Sequence, residues 1–230
     1  MNNKSQGAIM TIHDALIQRK SIRSFLQTPV AKDLIVHILE EAKWAPSGGN
    51  IQPWHVCVVS GAVKESIESR IRQAFEEQEQ NHMEYFYYPL KWEEPYKSRR
   101  KETGLQLYQM LGITKEDVSR QKEQWIQNYF AFGAPIVLYF FIDKSLEKGS
   151  FLDYGMFLQS LMLSATSKGL ATCAQASLGE YPNIIKSILN IDDTKTLVCG
   201  MALGYEDDKA LINSFKTSRI AVEDFTSFYE

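Results

Sequence analysis

The 230-residue sequence has few cysteines and prolines and almost no net charge. Its three cysteines, Cys57, Cys173 and Cys199, are widely spaced and odd in number, so we expect neither a disulfide framework nor a CxxC metal site. This usage fits a reducing compartment, and we expect a cytoplasmic protein. The net charge of −3 gives no electrostatic reason to expect a nucleic acid partner. No apolar run reaches the roughly 18 residues of a membrane span, so we expect no membrane partner.

Several catalytic patterns are absent as well. The histidines have no metal-ligand spacing, and the sequence contains no GxSxG, P-loop or GxGxxG motif. Paired carboxylates such as Glu93-Glu94 and Asp207-Asp208 are interpreted as solvated loop residues. We therefore assign no catalytic side chain and no metal site. The first ten residues lack a charged region followed by a long apolar stretch, so we expect no signal peptide.

The sequence does contain 44% hydrophobic residues, an ordinary content for a globular chain, and it has no repeats or linker-like tracts. We predict a single domain over residues 1–230, with a loop-rich and helical insertion at about 81–130. Hydrophobic periodicity and capping signals predict helices at 11–18, 32–43, 63–78, 98–111, 114–130, 151–168 and 181–190. Apolar runs predict strands at 54–59, 135–142, 170–174 and 196–203.

The helix predicted at 151–168 is apolar around most of its circumference, and such a helix must be buried. It could be a central core helix, or it could pack against a second copy of the chain. Both hold if one side packs on the sheet and the other on a partner. The residues that give this pattern are Phe151, Tyr154, Phe157, Leu158, Leu161, Met162, Leu163 and Ala165.

Three cations and a hydroxyl fall within the five residues Arg19-Lys20-Ser21-Ile22-Arg23. Cations near a helix C-terminus also interact favourably with exposed carbonyls, which accounts for Arg19 and Lys20. That explanation covers Ser21 and Arg23 less well. The alternative is an anion site, because guanidinium groups bind phosphate through paired donors and a serine hydroxyl adds another.

Three further segments have both an ordinary and a functional interpretation. The turn Pro46-Ser47-Gly48-Gly49-Asn50-Ile51-Gln52 could simply connect a helix to a strand, but its glycines permit close backbone approach and its amides suit a flat heterocycle. Residues 169–177 are a helix cap leading into a strand. The run Lys216-Thr217-Ser218-Arg219 is most simply a solvated tail.

The order of these motifs is more specific than any one of them. RKSIRSF is followed by EAKWAPSGGNIQPWHVCVVSG, a long apolar helix ending in SKGLATCAQASLGEYP, then LVCGMALGYED and a basic tail. This order resembles the FMN-dependent nitroreductase family over nearly the whole chain, and it looks closest to the nitrobenzoate-reductase branch. The resemblance implies an α+β fold with a central mixed sheet flanked by helices, assembled as an intertwined homodimer with flavin sites at the interface.

The resemblance also implies roles for individual residues. Arg19, Lys20 and Ser21 would hold the FMN phosphate and ribityl chain, Arg23 would lie toward the pyrimidine edge, and Lys216 and Arg219 would close on the phosphate. The partner subunit would contribute Pro46, Ser47, Gly48, Asn50 and, more weakly, Gln52. Backbone groups of Ala174, Gln175 and Ala176 would lie beside flavin N5 and O4, although many relatives have proline where Ala174 stands. The aromatic loop with Tyr88 and Trp92 is expected to form a wall of the acceptor pocket.

The activity implied is transfer of a hydride from NAD(P)H through flavin N5 to a nitroaromatic, quinone or similar flat acceptor, with ping-pong kinetics. Arg23 near N1 would stabilise the reduced flavin anion. Alternatives are a dehalogenase or flavin-destructase-like enzyme on the same scaffold, a flavin-binding sensor or carrier, and an interaction domain without a cofactor. The sequence does not choose between NADH and NADPH, and it does not identify the proton donor.

Overall fold

The apolar run predicted as a strand at 135–142 forms the strand β3 at the centre of one sheet in a computed structural model, which describes residues 10–230. Five strands and seven α-helices are found in that part of the chain. The strands are β1 Phe25–Leu26, β2 His55–Ser60, β3 Ile136–Asp143, β4 Ala171–Gln175 and β5 Lys195–Glu206. The helices are α1 Ile12–Gln18, α2 Lys32–Ala42, α3 Gly61–Glu76, α4 Tyr96–Met110, α5 Val118–Ile126, α6 Lys148–Ser167 and α7 Pro182–Leu189.

The sheet is built around β5, which pairs with β1, β3 and β4, while β2 pairs with the other side of β3. Every strand pair in residues 10–230 is antiparallel. The predicted α+β class is confirmed, and the mixed character of the sheet is limited to an isolated parallel bridge between Ser21 and Thr172. Antiparallel strands need no crossover helix to connect them. The helices of this chain are therefore free to form layers on the faces of the sheet.

The alternation of β3 separates two halves of the core. Val137, Tyr139 and Phe141 face the layer that contains α3 and α7, with buried Ile67, Ile71 and Ile185. Leu138, Phe140 and Ile142 face the layer that contains α2 and α6, with buried Ile38, Tyr154 and Leu161. Because successive side chains of a strand point to opposite faces, a strand between two helical layers must be apolar throughout.

Helix α6 packs one side on the sheet and leaves another side open. Tyr154, Phe157 and Leu161 are almost fully buried, whereas Leu152 is 74% exposed and Met156 is 40% exposed. The core-helix prediction is therefore confirmed, and packing of the second side on another copy stays a prediction.

The insertion differs from the prediction in its second helix. In place of one helix at 114–130, α5 ends at Ile126 and a 3-10 segment follows over Gln127–Gly133. The backbone of Ala131 and Phe132 is left-handed, with φ of 46° and 53°, so the α-helix cannot continue through them. The two-residue strand β1 was also missed, because it is too short to show a period. No helix within residues 10–230 is long and apolar enough to cross a membrane.

Candidate functional site

The cationic segment after α1 lies beside β4. The Ile22 N–H donates to the Thr172 carbonyl at 3.0 Å, and Ser21 forms the parallel bridge with the same residue. Pairing of these two distant parts of the chain therefore brings the residues around Ser21 next to the segment 173–177. Two of the motifs found separately in the sequence lie side by side in the fold.

The first part of this site is a cavity of about 290 Å³ at the end of α1. It combines the cationic segment with the C-terminal basic run, and no acidic side chain lines it among the residues of 10–230. Oriented cations without a carboxylate between them form a site for a phosphate or another anion. The lining residues are Leu16, Ile17, Arg19, Lys20, Ser21, Arg23, Phe215, Lys216, Thr217 and Arg219.

The charges in this cavity are not equally available. Burial, and then repulsion from Arg219, lowers the pKa of Arg19. The Lys20 ammonium is already paired, since its Nζ lies 2.8 Å from the Glu206 carboxylate and donates to the Asn213 carbonyl at 2.7 Å. Arg219 Nη1 donates to the Thr217 hydroxyl at 2.7 Å and to the Ser218 carbonyl at 2.8 Å, but neither Arg219 nor Arg19 has a carboxylate partner among the described residues. Their charges are therefore better placed than that of Lys20 to act on a ligand.

Asn213 fixes the basic run against the cationic segment. This buried side chain accepts a hydrogen bond from the Arg23 N–H at 2.8 Å and donates to the carbonyls of Ser24 and Asp207 at 2.8 and 2.9 Å. All three bonds join the end of the chain to a loop near its beginning or to the β5 exit. Asn213 therefore holds Lys216 and Arg219 near Arg19, and no local sequence pattern indicated this role.

A second cavity of about 300 Å³ adjoins the first, because Ser21 and Arg23 line both. Ala174, Gln175 and Ala176, the segment that the family resemblance places beside the flavin, form one wall. The amide Oε1 of Gln175 is buried and has no hydrogen-bond partner among the described residues, whereas its Nε2 donates to the Asn128 carbonyl at 2.8 Å. This unused acceptor fits a ligand that carries an N–H group.

The far wall of the second cavity contains Asn128 and Phe132. Phe132 is one of the two consecutive left-handed residues, and it is only 7% exposed. A non-glycine residue in this backbone region costs on the order of 1–3 kcal/mol, and such strain clusters at binding sites. Neither residue was a predicted site residue.

The turn Pro46–Gln52 lies elsewhere in the chain and lines neither cavity. It leans on α6, where the Gly48 N–H donates to the Asp153 carboxylate at 3.1 Å, and the Ser47 hydroxyl accepts from the Gln52 N–H at 3.0 Å. Gly49, Asn50 and Gln52 have positive φ angles of 58°, 57° and 49°. Left-handed backbone at the non-glycine residues Asn50 and Gln52 is uncommon and is enriched at binding sites, yet no residue of the turn joins the cationic segment in lining a cavity of the same chain.

The aromatic loop meets the second cavity through Tyr88. Tyr88 lines it directly, and its ring centroid lies 5.5 Å from that of Trp92. Trp92 is held behind Tyr88 and beneath the guanidinium of Arg100, at 5.2 Å from the ring centroid to Cζ. The loop is anchored by the Tyr85 hydroxyl, which donates to the Val198 carbonyl at 2.7 Å.

The sequence profile of the nitroreductase family matches residues 16–205 of this chain. The chain belongs to the nitroreductase family. The matched range covers the cationic segment, the turn, α6 and the β4 edge, so the resemblance stated from the order of the motifs is confirmed.

Nitroreductases of known activity and structure are similar over nearly the full length. A 4-nitrobenzoate reductase from Pseudomonas putida is 38% identical over 94% of both chains. A nitrobenzene nitroreductase from Ectopseudomonas oleovorans is 34% identical over 94% of this chain and 96% of its own. The crystal structure of the FMN- and NADPH-dependent nitroreductase NfnB from sphigopyxis sp. strain HMH superposes with a TM-score of 0.93, at 32% identity, over 96% of this chain and 99% of that chain.

Within this nitroreductase, sequence reasoning missed residues supplied by the insertion. Arg100, Trp125 and Asn128 line the second cavity together with Glu180. The aromatic composition of residues 81–100 was a signal for one wall, but no local pattern indicated that the start of α4 would reach the same place. The Glu180 carboxylate accepts from the Tyr129 hydroxyl at 2.5 Å and from Asn81 Nδ2 at 3.0 Å, so it ties the segment before α7 to the two ends of the insertion.

Proposed function

We propose that this nitroreductase binds FMN and reduces nitroaromatic compounds with electrons from NAD(P)H. The observation that carries the proposal is the joining of a cation-lined cavity to a second, flatter one through Ser21 and Arg23. A ligand made of a ring system and a phosphate needs an anion-binding cavity next to a flat cavity with amide and aromatic walls. The 4-nitrobenzoate and nitrobenzene reductases among its relatives support the choice of acceptor.

The residues fit FMN at both ends. Arg19, Ser21 and Arg219 would hold the phosphate, with Lys216 beside them, because their cavity offers donors and no competing carboxylate among the described residues. The lowered pKa of Arg19 reflects the cost of burying it and of facing Arg219, and a bound dianion would relieve both. The free Gln175 Oε1 would accept from a ring N–H, and the backbone of 174–176 would border the reacting edge.

When bound, FMN would supply the redox chemistry, accepting a hydride from NAD(P)H at N5 in one half-reaction and reducing the acceptor in a second. The chain's part is to bind and to set the field. Arg23 lies where the two cavities meet, so its charge would favour a reduced, anionic ring over a neutral oxidised one. The proposed reaction needs no side chain as a nucleophile. One slot serves both substrates, and the kinetics should therefore be ping-pong.

The site would be completed by a second copy of the chain. The turn at 46–52 is built with left-handed backbone yet lies away from the cationic segment of its own chain. The turn contacts α6 through Asp153, and the open side of α6 exposes the apolar side chains Leu152 and Met156. We therefore include a homodimer with interface sites in the proposal, in which Pro46, Ser47, Gly48 and Asn50 of one subunit cover the ring held by the other.

The aromatic loop would form the acceptor wall. Tyr88 borders the ring cavity and Trp92 supports it from behind, so Tyr88 is the contact residue and Trp92 the positioning residue. Replacing Trp92 with Ala should shift the relative kcat/KM values for nitroaromatic acceptors of different size. An unchanged order of acceptors would contradict this assignment.

The proposal includes NADPH as the electron donor and the cytoplasm as the location. The FMN- and NADPH-dependent NfnB at a TM-score of 0.93 favours NADPH. The three cysteines are free thiols, of which Cys173 and Cys199 are buried, in keeping with a reducing cytoplasm.

Absorption spectra of the purified protein test the proposal. We expect the band of an oxidised isoalloxazine at about 450 nm, bleaching under NADPH without oxygen, and recovery on adding a nitroaromatic. Initial rates at several acceptor concentrations should give parallel double-reciprocal lines. A colourless protein that does not take up FMN would contradict the proposal. A flavoprotein that neither NADPH nor NADH reduces would instead be a carrier, and one that releases halide in place of reducing the nitro group would be a dehalogenase.

A further inference from the structure

Arg100 is a cation that does not line the proposed phosphate cavity. It stands in the first turns of α4 and lines both the ring cavity and an adjoining cavity of about 540 Å³. The described residues offer it neither a carboxylate within ion-pair distance nor a hydrogen-bond acceptor, and its guanidinium lies over the face of Trp92, at 5.2 Å. A guanidinium directed into a site and left without an anion is a candidate for binding one.

The position of Arg100 over Trp92 leaves its hydrogen-bond donors unused. The ring quadrupole attracts the guanidinium, and none of its N–H groups has an acceptor among the described residues. Such donors suit the two oxygens of a carboxylate, which guanidinium binds through paired hydrogen bonds. Contact with the ring also reduces the side-chain entropy that an exposed arginine would lose on binding.

The other walls of the adjoining cavities suit an aromatic ring. Tyr88, Trp125 and Phe132 line both cavities together with Arg100. Arg23 lines both of them and the proposed phosphate cavity as well. Lys101 adds a second cation to the larger cavity. The acid that lines the ring cavity, Glu180, is absent from the larger cavity and is hydrogen-bonded to Tyr129 and Asn81. The local field therefore favours an anion attached to an aromatic body.

We propose that Arg100 determines the enzyme's preference for nitroaromatic acceptors that carry a carboxylate on the ring. This inference rests on the proposed nitroreductase function. With the nitro group directed to the ring cavity that 174–176 borders, the opposite end of the acceptor lies toward α4, where the Arg100 donors pair with its carboxylate. Acceptors without the carboxylate bind through the aromatic walls alone.

The test compares two acceptors of similar shape and different charge. The FMN-loaded protein is assayed with 4-nitrobenzoate and with its neutral methyl ester. Arg100→Gln should lower kcat/KM for the acid roughly 10- to 100-fold, mainly through KM, and change the ester by less than about twofold. Arg100→Lys should keep part of the preference, because a lysine supplies charge without the paired donors.

Arg99→Gln is the matched control. It removes the same charge one residue earlier, from a side chain that lies over Tyr96 at 5.9 Å and lines neither of these cavities. It should leave both acceptors unchanged. An equal loss for acid and ester in Arg100→Gln, or no loss for either, would overturn the proposal.

Two further measurements distinguish carboxylate binding by Arg100 from other roles of this side chain. If Arg100→Gln slowed reduction by NADPH and not by NADH, with no difference between acid and ester, Arg100 would bind a phosphate of the dinucleotide and the proposal would be wrong. If the parent protein reduced neither acceptor, the proposed function would fail. Benzoate titrated into the oxidised FMN-loaded protein, followed by the flavin spectrum, would still test Arg100, and weaker binding to Arg100→Gln is the supporting result.

Discussion

Arg19 and Arg219 stand near opposite ends of the chain and face one cavity. Two like charges held together without a carboxylate are unfavourable for the protein alone, and the lowered pKa of Arg19 reflects burial and this repulsion. A phosphate dianion between them turns the same arrangement into a favourable one. Ligand affinity and stability of the empty protein should therefore respond in opposite directions to loss of either charge.

The first prediction concerns Arg19→Gln. Losing one charge-assisted pair should weaken FMN binding by about 1.5–3 kcal/mol, or roughly 10- to 100-fold in Kd. The melting temperature of the FMN-free protein should stay the same or rise, because the repulsion with Arg219 is gone. Kd is measured by quenching of flavin fluorescence, and melting by circular dichroism on the stripped protein.

Arg99→Gln is again a suitable control, because it removes an arginine outside the cavity. It should bind FMN as the parent does. If Arg19→Gln instead lowered the melting temperature of the FMN-free protein and left Kd unchanged, Arg19 would serve the fold and not the phosphate.

The parts of this site that sequence could predict are those encoded by local pattern. A continuous apolar run predicted β3, and Pro46 with the two glycines predicted the turn after α2. The cationic segment was recognisable because three cations and a serine are consecutive or nearly so. Each of these signals depends only on neighbours in the chain.

The parts that escaped prediction depend on long-range contacts. The pairing of Ser21 with Thr172 assembles the site, yet nothing in either segment specifies the other. Asn213 looks like an ordinary turn residue until its three bonds to the 23–24 loop and Asp207 are seen. Arg100 lies on a largely polar helix without a buried face, where hydrophobic periodicity carries no information.

The second prediction concerns Tyr154, a fully buried residue of α6 that ties β2 to β3. Its hydroxyl accepts from the His55 N–H at 3.2 Å and lies 3.1 Å from the carbonyls of His55 and Phe141. Tyr154→Phe leaves these backbone groups without that partner, so the free energy of unfolding should fall by about 1–3 kcal/mol. Urea denaturation measures the change. Tyr96→Phe, at a residue 61% exposed, should change it by less than about 0.5 kcal/mol, and equal effects of the two variants would refute the role given to the hydroxyl.

The third prediction is a pH dependence from Asp143 at the end of β3. Hydrogen bonds from the Ser145 side chain and backbone, and then from Lys195, lower the pKa of this carboxyl to about 2 from its ordinary 3.8. A carboxyl whose pKa is lower in the folded state stabilises the fold above the unfolded value, and the contribution disappears as the pH falls from about 4 toward 2. Asp143→Asn should therefore lower the melting temperature at pH 7 and differ less from the parent at pH 3.

Asp208→Asn is the comparison for Asp143. Asp208 is an exposed acid whose side chain makes no hydrogen bond within residues 10–230, and its removal should shift the melting temperature little at either pH. A deficit of Asp143→Asn that stayed the same from pH 7 to pH 3 would show that its carboxylate charge is not what stabilises the turn.

The last prediction concerns the open side of α6, where Leu152 and Met156 are exposed one helical turn apart. If this side packs on a second copy, Leu152→Glu places a charge in an apolar interface twice, once from each subunit. Light scattering should then show single chains where the parent forms dimers. Val63→Glu on α3, the helix on the opposite face of the sheet, should stay dimeric.

The FMN content of the dissociated Leu152→Glu chains tests whether the site is shared between subunits. Each separate chain would keep its own cations but would lose the turn at 46–52 of the other chain. The dissociated variant should therefore retain little FMN. Separate chains that kept a full complement of FMN would contradict a site shared between subunits, even though the dimer itself had been demonstrated.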